Sequence, residues 1–137
     1  MWWIYALLSA FFAALTAVLA KIGIKDVNTD VATAIRTVVI LLVAWGIVLW
    51  RGELTAISSL SKNNWIFISL SGLATGLSWI CYFKALQLGQ VSQVAPVDKL
   101  SVALAILLSV IFLGEVLTLK TALGAALIII GTIILIL

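Results

Sequence analysis

Arg36, Asp98 and Lys99 are charged residues set inside long apolar runs, and polar chemistry in this sequence has to be sought there. Near the centre of a bilayer a charge costs at least ~2.5 kcal/mol even on the lenient insertion scale, so such residues face a protein interior or water. Asp98 is the most restrictive. Its side chain is too short to reach the headgroups, so it must be paired, protonated or hydrated. Arg36 and Lys99 can either snorkel or serve the interior, whereas Lys21 and Lys84, near span ends, read as snorkelling. Consecutive residues project about 100° apart on a helix, which disfavours a pair between Asp98 and Lys99. Arg36 matches Asp98 in depth and offers a planar fork, so the expected structural ion pair is Arg36 with Asp98. Trp79, Tyr82 and Phe83 fall at a similar depth; they read either as an aromatic wall or as an interfacial belt. The candidate substrate-binding residues are Trp79, Tyr82, Asp98 and Lys99.

Other chemistries lack their residues. Histidine is absent, Cys81 is the only cysteine, and neither H-E-x-x-H nor G-x-S-x-G occurs. Nothing supplies an activated nucleophile or a metal-bound water, so no enzyme activity, metal or cofactor is expected. The net charge of +3 comes without a basic tail, which argues against nucleic acid as a partner.

The elements that position these residues follow from composition. The chain is 65% hydrophobic and 9% charged, too little polar surface to cover a soluble core of this size. Five apolar segments, about 2–20, 31–50, 65–86, 92–113 and 119–137, are each long enough to cross ~30 Å of hydrocarbon. The runs AILLSVIFL and ALIIIGTIILIL are continuously apolar, not alternating, which excludes a membrane β-barrel. The expected fold is an all-α integral membrane protein, five transmembrane helices in one bundle, over a single domain 1–137. The first segment lacks a basic leader and an A-x-A-like site, so it reads as a retained helix. Asp30, Asn63 or Asn64, and Thr118 are candidate caps for the second, third and fifth helices. Pro96 fits either the first turn of the fourth helix or a bent helix entrance.

Close packing is signalled by Ser9, Ala13 and Ala17, by the GxxxG pair Gly72 and Gly76, and by Gly124 and Gly131. Five crossings put the termini on opposite sides. Arg51, Lys62 and Lys120 then fall on the N-terminal side, against Lys21, Lys25 and Lys84 on the other. The Lys/Arg bias that fixes orientation is absent, so both orientations are expected.

The order of several short motifs resembles the EamA family of the drug/metabolite transporter superfamily. Lys21 closes the first helix, Arg36 lies in the second, and Ala85-Leu86 ends the third. Ala95-Pro96 opens the fourth, Leu113-Gly114-Glu115 ends it, and Gly124 and Gly131 space the fifth. The resemblance implies a multi-pass cell-membrane carrier that moves small metabolites or drugs by alternating access. Members of this family typically have ten helices built from two inverted five-helix units, and this chain resembles one unit. It therefore implies a homodimer, antiparallel if it is to recreate the inverted repeat. A parallel dimer or a heteromeric partner stays open. A lipid-headgroup flippase and a non-transporting subunit are the alternative readings. Small four-helix multidrug transporters are similar in size, but the first helix here holds no acid, so a Glu-centred exchange does not carry over.

Overall fold

A computed structural model describes residues 1–137, and it is helical throughout. The helices are α1 (Trp2–Gly23), α2 (Thr29–Arg51), α3 (Lys62–Leu88), α4 (Val91–Asp98), α5 (Leu100–Leu108) and α6 (Leu119–Ile136). A 3₁₀ run, Glu53–Ser59, links α2 to α3, and a wide π-type turn, Ser109–Leu113, ends α5. With α4, α5 and that turn counted as one crossing, Val91–Leu113, five stretches are long and apolar enough to span a membrane.

Local chemistry explains most boundaries. Asn28 Oδ1 accepts from the amides of Asp30 at 2.8 Å and Val31 at 3.2 Å, so Asn28, not Asp30, caps α2. Asp30 instead places its charge in the first turn, where the helix dipole favours it. Similarly, α3 starts three residues before position 65, because Ser61 Oγ accepts from Asn64 N at 3.2 Å; neither Asn63 nor Asn64 is the cap. Thr118 caps α6 as expected, accepting from Thr121 N at 3.2 Å. Gly52 and Gly114 end their helices in the left-handed region, at φ 69° and 68°, where a Cβ would be strained.

Pro96 does not take the first-turn position. It is the sixth residue of α4, beyond the first turn, and it offers no amide to the Ser92 carbonyl. Three residues on, Lys99 N donates to Ala95 O at 3.3 Å and to Pro96 O at 3.0 Å. The tighter second bond accompanies a ψ of −10° at Lys99, and the helix divides there.

Contacts within the chain resolve two compact units, residues 1–19 with 88–137, and residues 20–87. In the first unit α6 packs on α4 and α5. Thr132, 3% exposed, shares its hydroxyl proton between Ile128 O at 2.8 Å and Pro96 O at 3.2 Å. The second unit has a small core of Ile24, Thr29, Thr33, Phe83 and Leu86. Thr33 needs no partner helix for its hydroxyl, since its Oγ1 donates to Thr29 O at 2.8 Å.

Nearly every other large apolar side chain is exposed, among them Leu42, Phe67 and Ile134. In water that surface would far exceed the few hundred Å² a monomer tolerates. Lipid tails remove the cost, and the chain is a multi-pass membrane protein.

Candidate functional site

Within residues 20–87 the ends of α1 and α3 are tied by polar bonds. Lys21 Nζ donates to the carbonyl of Leu86 at 2.6 Å. Snorkelling is therefore not its role: the ammonium sits on an orphan carbonyl at the C-terminal end of α3, where the dipole favours a cation. Gln87 Nε2 donates to Val27 O at 2.9 Å and Ile24 O at 3.3 Å, which pins the link between α1 and α2. Lys84 Nζ donates to Gln87 Oε1 at 3.2 Å while remaining exposed, so it too has a protein partner.

Arg36 is held differently. Its Cζ lies 4.4 Å from the ring centroid of Trp79 and 5.0 Å from that of Phe83. Those two rings are four residues apart on α3, hence on one face of it. Both distances are inside the ~6 Å range of cation–π attraction. Tyr82 is half-buried, its ring centroid 6.3 Å from that of Phe83.

In the other unit, Asp98 Oδ2 lies 3.1 Å from Lys99 Nζ, with side chains 34% and 56% exposed. This corrects the expectation that neighbours on a helix would not pair. The Lys99 side chain is long enough to turn back to the neighbouring carboxylate despite the projection of about 100°. Arg36 thus meets aromatic faces and Asp98 meets Lys99; in neither case is this the partner that matched depth suggested.

The glycines expected to seat neighbouring helices do not do so inside their units. A Cβ built on Gly72, Gly76, Gly124 or Gly131 meets no such atom within 4 Å. Long side chains such as Arg36 bridge α2 and α3 instead of backbone approach.

Sequence reasoning missed Gln87 and the partners of Lys21, and it left Phe83 open as belt or wall. The i, i+4 spacing of Trp79 and Phe83 was a usable signal, because it puts two rings on one helix face toward a cation. Chemically, one unit offers a guanidinium held against two rings, and the other a carboxylate–ammonium pair. The protein does not seal the pair, whose side chains are 34% and 56% exposed, so its two charges are open to a ligand.

Comparisons with known proteins agree with a carrier. A relative from Sinorhizobium sp, named "Uncharacterized transporter in cobO 3'region", is 52% identical over 134 residues, covering 98% of this chain and 95% of the relative. No solved structure gives a significant match. The profile of the EamA-like transporter family matches residues 1–137, and the chain belongs to that family.

Proposed function

We propose that the chain carries a small molecule across the membrane by alternating access, as an antiparallel homodimer in which each protomer supplies one five-helix repeat. The transporter class rests on the family match along the whole chain. The dimer is supported by the length of a relative and by charge. The match covers 95% of a relative named as a transporter, which is therefore about one five-helix repeat long. Arg51, Lys62 and Lys120 balance Lys21, Lys25 and Lys84 in number, and without a Lys/Arg bias a membrane protein has no preferred orientation. The unoccupied Cβ positions of Gly72, Gly76, Gly124 and Gly131 suit close approach by a second copy.

The cargo site in this reading is formed by Trp79, Tyr82, Asp98 and Lys99, where inverted repeats meet. These side chains carry polar atoms that are expensive to leave in lipid. The test starts with a thermal-shift screen in detergent across amino acids, nucleotides, cations and lipids, followed by uptake of each stabilising compound into proteoliposomes. Uptake above protein-free vesicles supports the reading. Stabilisation without uptake of any compound would replace it with a non-transporting membrane subunit.

A further inference from the structure

The aromatic contacts of Arg36 leave an electrostatic account open. Arg36 is the eighth residue of α2, about 10 Å into the helix at 1.5 Å per residue. No acidic residue occurs in α2 after Asp30 or anywhere in α3. The guanidinium makes no ion pair and no hydrogen bond; it lies against the rings of Trp79 and Phe83, with an electrostatic attraction to Tyr82. Ring faces attract the positive charge but offer no oxygen or nitrogen acceptor to the five N–H donors. A permanently charged group in an apolar span, with two rings beside it and none of its N–H donors hydrogen-bonded, is placed to meet an acceptor that comes from elsewhere. Planar two-point acceptors match that edge, and carboxylates and phosphates are such acceptors.

We infer that Arg36 is the receptor for an oxyanion, a carboxylate or a phosphate, with Trp79 and Phe83 holding its fork in place. The inference deepens the transporter reading by naming the charge class of the cargo. It also gives Trp79 a second role, as a positioning residue for Arg36 and not only a wall of the site. The same oxyanion chemistry has two sources, a soluble solute or the headgroup of an anionic lipid.

The decisive experiment compares wild type with Arg36→Lys and Arg36→Gln in detergent. Succinate and inorganic phosphate binding are measured by calorimetry, and retention of phosphatidylglycerol over phosphatidylcholine by native mass spectrometry. Binding of a soluble oxyanion that weakens about tenfold or more in both variants assigns the site to a soluble cargo, since a hydrogen bond to a charged group is worth about that much. Selective lipid retention lost in both variants assigns the same site to a headgroup. Should Arg36→Gln fail to fold, Arg36→Lys decides alone, because it keeps the charge and loses the fork. If none of the three anions binds, or if each binds equally well to the folded variants, Arg36 is a structural cation. That result overturns the oxyanion site and leaves the transporter reading intact, since uptake decides the latter.

Discussion

The ammonium of Lys21 and the backbone carbonyl of Leu86 lie 2.6 Å apart, joining the last turn of α1 to the end of α3 across 65 residues of sequence. Leu86 is fully buried, so the bond is shielded from competition on the side-chain flank. Lys21→Met keeps the stem and removes the charge. A hydrogen bond to a charged group contributes about 1.5–3 kcal/mol, so a loss of that order is expected in detergent unfolding. Lys21→Arg should retain much of it. Equal stability of Lys21→Met and wild type would show that the bond is replaceable by water.

Arg36 and Trp79 should be energetically coupled. Partly desolvated cation–π contacts are worth about 0.5–2 kcal/mol, so a cycle of Arg36→Met and Trp79→Leu should return a coupling in that range. The matching cycle of Arg36→Ala with Asp98→Ala examines the pairing that depth alone suggested. Near-additivity there, with coupling to Trp79, is the outcome expected from the observed contacts. The reverse result would return Arg36 to the carboxylate.

What could be read in advance was one-dimensional. Five spans are legible because the length of an apolar run is a property of the chain alone, as in ALIIIGTIILIL. The caps were nearly legible: Asn28 and Asp30 are both good caps two residues apart, and the geometry chose the first. Pro96 signalled trouble in the fourth crossing but not its place, because the divide at Lys99 lies three residues beyond the proline. The partners of Lys21, Arg36 and Gln87 were not legible, since each reaches a residue more than forty positions away. Depth along a helix says which charges share a level; it does not say which way each side chain points.

Gly76 distinguishes contacts inside a protomer from contacts between copies. A Cβ there meets no side chain in its own unit, so Gly76→Leu should leave the thermal stability of the monomer within about 0.5 kcal/mol. If the GxxxG face of α3 meets a second copy, the same substitution should shift a cross-linked or native-gel population from dimer to monomer. Dimers as abundant as wild type would place the interface away from Gly72 and Gly76.

Orientation should respond to single charges. With three Lys/Arg on either side, one added lysine creates the bias that the natural chain lacks. C-terminal reporters active on opposite sides of the membrane should both signal in wild type. Asn63→Lys and Asn28→Lys should shift the ratio in opposite directions. A reporter active on one side only, and unmoved by either substitution, would remove the dual orientation and with it the antiparallel dimer.

Asp98 provides the test of energy coupling. It is the acid set deepest in a span, the eighth residue of α4, and its ion pair with Lys99 is not sealed by protein. If protonation of Asp98 drives the cycle, the proton must displace Lys99 from the carboxylate and leave again on the other side. Asp98→Asn keeps the size and the hydrogen-bonding oxygen but can neither accept the proton nor pair with Lys99. It should therefore abolish uptake driven by a pH gradient in proteoliposomes while leaving elution and thermal stability close to wild type. Gradient-driven uptake that persists in Asp98→Asn with unchanged pH dependence would reduce the Asp98–Lys99 pair to a fixture of the divided helix.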